Sequence, residues 1–180
     1  MKAPEVEARV TMLEVTIEAD PEWDSRTDWE QLARAAALSA IAESRFPGLA
    51  EDARSAELFV RLTSDEEVHA LNAQWRGKDK PTNVLSFPLA EAAELEARDG
   101  PGLLLGDVVL AGGICTAEAA EKALPLESHA THLVVHGTLH LLGHDHEDEE
   151  SADDMEQREI RALARLGIAN PYAPVEQVEA

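Results

Sequence analysis

Three histidines, at positions 136, 140 and 146, lie within eleven residues of the chain, and Gly143 stands between the second and the third. Residues four apart share one face of a helix, so His136 and His140 can offer two imidazoles to the same ion. Gly143 can end the helix in a left-handed turn, after which the chain can fold back and present His146. Three protein ligands and an open fourth position are typical of a catalytic zinc site. The spacing therefore predicts one Zn²⁺ per chain, bound by these three histidines.

Two further histidines compete for the third ligand position. His132 precedes the first ligand by one helical turn, and His144 follows the second by four residues. We prefer His146, because Gly143 lies directly before His144 and is expected to end the helix there. His132 and His144 are then predicted either to support the ligands or to face solvent.

The same histidine spacing occurs in the metzincin metalloproteases, with one difference in residue type. Their second motif residue is a glutamate that acts as the general base, whereas this chain has Gly137 at that position. A glycine has no group that can take a proton from water. The sequence therefore predicts the metal ligands of such a site without the base of a protease, and a metalloprotease is the less favoured alternative.

The elements that must position the histidines can be predicted from hydrophobic periodicity. Residues 126–142 are apolar nearly all round, which predicts a buried helix. Thr27 and Glu30 match a capping box before another helix. Strands are predicted at 10–17, 58–62, 83–87 and 103–111, and helices at 29–45, from 63 or 64 to 75, after 116, at 126–142 and from about 151 to 167. This mixture indicates an α+β or α/β domain with one sheet of about four strands.

Composition limits the classes of function. The 180 residues suffice for one domain, 1–180, with a real core. A net charge of −21 argues against broad, charge-driven nucleic-acid binding, and residues 75–80 hold the only short basic cluster.

No run of 18 apolar residues is present, which predicts no membrane span. Cys115 is the only cysteine, so no intramolecular disulfide can form. With no signal-like stretch at the start, a cytoplasmic protein is expected.

Four other stretches accompany the histidine block, and in this order they resemble the YbeY family. These bacterial metal-dependent endoribonucleases act in ribosomal RNA maturation. The resemblance extends over about residues 58–172, and the region before residue 58 contributes little to it. The four stretches are residues 71–76 (LNAQWR), 78–88 (KDKPTNVLSFP), 105–108 (LGDV) and 166–172.

The resemblance implies zinc at His136, His140 and His146, and a functionally important arginine at Arg76. It also implies a small mixed sheet with helices packed around it and the metal-binding helix in the centre. Ribosomal RNA, and the ribosome or ribosomal proteins, are the partners that it implies.

The chemistry expected of such a site is metal-assisted cleavage of a phosphodiester bond. Zinc makes hydroxide available near neutral pH, and the guanidinium fork of Arg76 suits a phosphate group. Asp107, in an otherwise apolar strand, is predicted either to orient a metal-binding histidine or to bond nearby backbone. Ser86 is predicted either to touch substrate or to bond backbone. A ribosome-associated protein with a purely structural zinc is a further alternative, although structural sites usually have four protein ligands.

Overall fold

Alternating apolar residues form one four-stranded sheet in this computed structural model, which describes residues 13–50, 54–97 and 100–173. The strands are β1 (Leu13–Ala19), β2 (Ala56–Thr63), β3 (Val84–Pro88) and β4 (Leu103–Ala111). Their order across the sheet is β1-β2-β4-β3. β1 and β4 are each parallel to β2, whereas β3 is antiparallel to β4. The sheet is therefore mixed, as the resemblance implies, and β3 forms one of its edges.

Helices pack around the sheet, and one of them is buried nearly all round. They are α1 (Trp29–Glu43), α2 (Asp65–Arg76), α3 (Ala92–Glu96), α4 (Gly112–Glu121), α5 (Leu126–Leu141) and α6 (Glu149–Arg165), with a 3₁₀ turn at Pro47–Ala50. The histidine-bearing helix α5 contacts α1, α4, α6, β3 and β4. Its apolar residues therefore meet neighbours on every side, which confirms the predicted central helix.

The two faces of β4 pack against different helices. Val108 and Leu110 belong to the main core, which includes the apolar side chains of α5. Val109 and Ala111 form a smaller core with Val68 of α2 on the other face. Since successive side chains of a strand alternate between faces, α2 and the histidine helix lie on opposite sides of the sheet. The edge strand β3 separates them.

Helix α1 begins at the predicted residue but has a different cap, and helix α6 begins earlier than predicted. Helix α1 is capped by Asp28, whose side chain accepts a hydrogen bond from the Gln31 amide at 3.0 Å, so the capping box predicted at Thr27 is wrong. Helix α6 begins after Asp148, which caps the Ser151 amide at 2.7 Å. Both true caps are aspartates, and an aspartate caps as well as serine or threonine does.

Helix α4 begins at Gly112, ahead of the start predicted after Thr116. Its own N-cap residue provides no side-chain hydrogen bond. Instead, a carboxylate oxygen of Asp65, at the start of α2, accepts from the Ile114 amide at 3.0 Å. A cap supplied by a distant part of the chain leaves no local signal.

Val15 and Ile17 of the predicted first strand lie in β1, whereas Val10 and Met12 lie outside the described residues. Among the helices of the described ranges, none is both long enough and apolar enough to cross a membrane.

Candidate metal centre

Gly143 ends helix α5 and turns the chain back toward the ligands. Its φ of 90° lies in the left-handed region that favours glycine. The Gly143 amide donates to the His140 carbonyl and the His144 amide donates to the Leu139 carbonyl, each at 3.0 Å. This pair of bonds is the Schellman pattern of a helix C-terminus. Three residues later, His146 returns to the last turn of the helix.

The turn brings His136, His140 and His146 together. One ring nitrogen from each lies within 4.8 Å of the other two, and the Nε2 atoms of His136 and His140 are 3.1 Å apart. The first two side chains are half-buried and the third is exposed. Within the described residues, the group at ligand distance consists of these three histidines. The cluster therefore has the donor number of a site that keeps a position open.

Hydrogen bonds fix which nitrogen of His136 and of His140 can bind a cation. A carboxylate oxygen of Glu159 lies 3.2 Å from His136 Nδ1, and the His144 carbonyl lies 2.8 Å from His140 Nδ1. A carboxylate and a carbonyl can only accept, so each Nδ1 carries the proton and each Nε2 presents a lone pair. Two lone pairs facing each other at 3.1 Å repel, and a cation between them removes that repulsion. The donor set therefore fits zinc.

The charge states of His140 and Glu159 also favour binding of a metal cation. Burial lowers the pKa of His140 to about 4, and the neighbouring His136 and His146 lower it further, so this imidazole is neutral at pH 7. Burial opposes ionisation of Glu159, but hydrogen bonds with His132 and His136 outweigh it and hold the pKa at about 2. Neutral imidazoles are the protonation state that metal binding requires.

Glu159, on α6, is the supporting residue that the sequence interpretation missed. Its side chain is 1% exposed, and Oε1 accepts from His132 Nε2 at 2.6 Å and from the Tyr172 hydroxyl at 2.7 Å. The other oxygen holds His136. One signal was available: Glu159 shares a buried helix face with Met155 and Ala162, and a carboxylate in an apolar stripe needs partners.

His132 and His144 lie outside the three-nitrogen group but support it. His132 holds Glu159, which in turn orients the first ligand. His144 is 1% exposed, and its Nε2 accepts from the Arg45 amide at 3.2 Å while its carbonyl orients His140. The supporting role expected of both residues agrees with these contacts, whereas the solvent-facing alternative is wrong.

The histidines form one wall of a cleft of about 660 Å³, and basic side chains of the α2–β3 connection form another. Arg76, Lys78 and Lys80 all line it. Gly77 ends α2 with a φ of 66°, and buried Asn72 then holds the loop by accepting from the Lys78 amide and donating to the Lys80 carbonyl. The basic cluster seen in the sequence therefore faces the same space as the candidate metal ligands.

Arg76 is held at the edge of the sheet. Its guanidinium carbon lies 5.6 Å from the centre of the Phe87 ring, and one terminal nitrogen donates to the Ser86 carbonyl. Both contacts are to β3, the edge strand that separates α2 from the histidines. Since a guanidinium has five N–H groups, donors remain for a ligand in the cleft.

A family model described as Endoribonuclease YbeY matches residues 18–167. The chain belongs to the YbeY family. A protein of Rhizorhabdus wittichii named Endoribonuclease YbeY is 51% identical over 168 residues, which are 92% of this chain and 99% of that protein. A protein of the same name from Novosphingobium aromaticivorans is 52% identical over 161 residues, 87% of this chain and 94% of that protein.

A solution structure of a Thermotoga maritima protein has the same fold. Its TM-score is 0.51 at 22% sequence identity, and the match covers 91% of this chain and 99% of that protein. The likeness supports the fold of this chain, a small mixed sheet with helices packed around it.

Gly137 shows why this YbeY-family site lacks the base of a metzincin protease. A Cβ at this position would lie 2.6 Å from a methyl carbon of Val108 and 3.2 Å from Ser86 Oγ. The position therefore faces the sheet and not the cleft. A glutamate there would be driven into β3 and β4, so the peptidase base is excluded by packing as well as by residue type.

Replacing Gly137 with alanine is expected to destabilise the protein. Overpacking costs about 1–3 kcal/mol, which exceeds the gain of up to about 1 kcal/mol from the helix propensity of alanine. Chemical denaturation measures the change in the free energy of unfolding. Gly48→Ala is the matched control, because nothing lies within 4 Å of its added Cβ. A Gly137→Ala protein as stable as that control would contradict the close packing of α5 on the sheet.

Replacing Glu159 with glutamine is expected to weaken zinc binding about 10–100-fold, the usual cost of removing an outer hydrogen-bond partner of a metal ligand. The amide cannot accept from His132, Tyr172 and His136 as the carboxylate does. Competition with a chromophoric chelator measures the zinc affinity. Asp153→Asn, an exposed change on the same helix, is the control. Equal affinity in both variants would show that Glu159 does not orient His136.

The structure also shows the surroundings of Asp107 and Cys115. Asp107 is half-buried on the α2 face of β4, away from the histidines, so it does not orient a ligand. Among the described residues it has no hydrogen-bond partner, so its predicted backbone bond is wrong as well, and burial raises its pKa. Cys115 is fully buried. Burial, with Glu118 and Asp65 adding to it, raises its pKa to about 12.

Proposed function

We propose that this chain is a zinc-dependent endoribonuclease that hydrolyses phosphodiester bonds of single-stranded segments of ribosomal RNA, during ribosome maturation and quality control in the cytoplasm. The observation that carries the proposal is one cleft lined both by three histidine nitrogens and by three cationic side chains. Metal ligands beside phosphate-binding groups are what phosphodiester hydrolysis requires. The relatives named Endoribonuclease YbeY support the reaction class.

Zinc held by His136, His140 and His146 would supply a water nucleophile whose pKa is about 7, against 15.7 in bulk water. The protein's part is to orient the ligands. Glu159 and the His144 carbonyl do so through the two Nδ1 protons. The turn at Gly143 leaves the third ligand exposed at the mouth of the cleft, where a long substrate can enter.

Arg76 is the residue that we assign to the phosphate. Its contacts with Phe87 and the Ser86 carbonyl hold the guanidinium before a substrate arrives. A held donor does not need to reorganise while charge develops on the phosphoryl oxygens, and such preorganisation is a large contribution to catalysis. Lys78 and Lys80 extend the positive wall for the neighbouring phosphates.

The chain carries an excess of negative charge, which disfavours RNA binding. Fifteen basic residues are outnumbered by 36 acidic ones, and the long block from 145 to 159 is strongly acidic. Long-range repulsion of a polyanion is therefore expected over most of the surface. This charge pattern supports a requirement for the ribosome, or for a ribosomal protein, to bring RNA to the site.

The test compares four substrates: a single-stranded ribosomal RNA fragment, its duplex, the DNA of the same sequence, and casein. We expect cleavage of the single-stranded RNA, its loss after chelation, and its return when zinc is added back. Cleavage of casein would favour the metalloprotease alternative. RNA cleavage that survives complete removal of metal would overturn the proposal.

A further inference from the structure

Trp75 is an exposed indole at a position where the sequence pattern predicts burial. It lies seven residues after Val68, which is fully buried, and so continues the core-facing stripe of α2. Its own side chain is nevertheless 64% exposed, the highest value among the large hydrophobic residues of the described ranges. The core of this face includes Val68, Leu85 and Leu71, but Trp75 is not packed against it.

The place of Trp75 in the fold explains its exposure. It lies in the last turn of α2, directly before Arg76, whose guanidinium contacts the edge strand β3. Within the described residues β3 is the edge strand, and its Phe87 ring is covered by the side chain of Arg76 rather than by Trp75. The indole is therefore exposed one residue before Arg76, which lines the cleft, although Trp75 itself is not among the lining residues.

An exposed indole near basic side chains can contribute to binding a single strand of RNA. Proteins that bind single strands combine a positively charged groove for the phosphates with aromatic side chains on which bases stack. Arg76, Lys78 and Lys80 provide the groove here. Aromatic residues are only 4% of the chain, and the other two tryptophans, Trp23 and Trp29, are buried.

We propose that Trp75 is a base-stacking residue: a nucleobase next to the phosphate held by Arg76 stacks on its indole. This inference rests on the proposed endoribonuclease function and assigns to it a substrate-binding contact. Stacking tolerates every base, because every base has a π-face, so Trp75 contributes affinity for single-stranded RNA and not sequence specificity. A duplex, whose bases are already stacked, gains nothing from it.

The experiment uses the zinc-loaded protein and two ligands of equal charge. One is a ten-nucleotide 2′-O-methyl oligoadenylate, verified intact on a gel, and the other is an abasic phosphodiester chain of the same length. Tryptophan fluorescence reports directly, because Trp75 is the exposed indole and the other two are buried. We expect the oligoadenylate to quench the exposed indole and to bind at least about fivefold more tightly than the abasic chain, since stacking is worth about 1–3 kcal/mol per base.

Two variants of Trp75 test the residue itself, and variants of Lys80 and Leu104 serve as comparisons. Trp75→Ala is expected to remove the quenching and most of the difference between the two ligands, with the salt dependence of binding unchanged. Trp75→Phe should restore much of the affinity. Lys80→Ala should instead reduce the log–log salt slope by about 0.7, the share of one phosphate contact on a single strand. Leu104→Ala, which removes another exposed apolar side chain outside the cleft, should bind as the wild type does.

Wild-type affinity for the oligoadenylate in Trp75→Ala would overturn the assignment, even if that variant bound ribosomes less well. An equal loss of affinity for both ligands would overturn it too, because the abasic chain has no base to stack. If the wild type bound neither ligand and cleaved no single-stranded RNA, the proposed function would fail together with this inference. In the first two outcomes the proposed function stands.

Discussion

Replacing His136 with alanine is expected to remove zinc from the protein and to lower RNA cleavage at least about 10³-fold. The metal is worth several kcal/mol to the transition state, and each 1.36 kcal/mol is a factor of ten in rate. The variant also leaves the buried carboxylate of Glu159 without one of its partners. Metal content by mass spectrometry and initial cleavage rates, measured on the same preparation, check both effects.

The matched control for this variant is His69→Ala. His69 is a half-buried histidine on α2 that pairs with Asp79 at 2.8 Å and does not line the cleft. It should keep zinc and cleave as the wild type does. A far-ultraviolet circular dichroism spectrum shows whether each variant is folded. A folded His136→Ala protein that retained zinc and activity would exclude His136 as a ligand.

Arg76→Ala is expected to lower kcat about 10²–10³-fold while zinc content and stability stay near wild type. The estimate is the usual cost of removing one preorganised donor from developing charge. Stability should change little because Arg76 is an exposed residue at the end of its helix. Single-turnover cleavage gives the rate constant, and thermal melting gives the stability.

The Arg76→Lys variant distinguishes the contribution of the positive charge from that of the planar guanidinium. Lysine keeps the positive charge but has neither the planar fork nor the five fixed donors, so it should restore only a minor part of kcat. Arg26→Ala, a change of a highly exposed arginine that does not line the cleft, is the control for a general loss of charge. Full activity in Arg76→Ala would show that the guanidinium does not contact the reacting phosphate.

Local patterns predicted those features that depend on neighbouring residues. The strand Leu103–Ala111 has the predicted bounds, and Gly143 ends the histidine helix as its position before His144 indicated. Alternation and glycine chemistry act over a few residues, so they are visible in the sequence. The grouping of His136 with His140 is of the same kind, since one helix holds both.

Features that depend on distant contacts were not predictable in this way. The cap that Asp65 provides for α4 joins residues 49 positions apart. Alternation places Asp107 and Val108 on opposite faces of β4, but only the packing of helices decides which face meets the histidines. His144 is buried because the turn brings it against the Arg45 amide after α1, a contact across 99 positions.

Zinc is titrated into metal-free protein, and cleavage of single-stranded RNA is followed. We expect no cleavage without metal, a linear rise in rate with added zinc, and a sharp break at one equivalent per chain. That break should vanish in His136→Ala and persist in His69→Ala. Cleavage by the metal-free protein, or a break at two equivalents, would contradict a single zinc held by His136, His140 and His146.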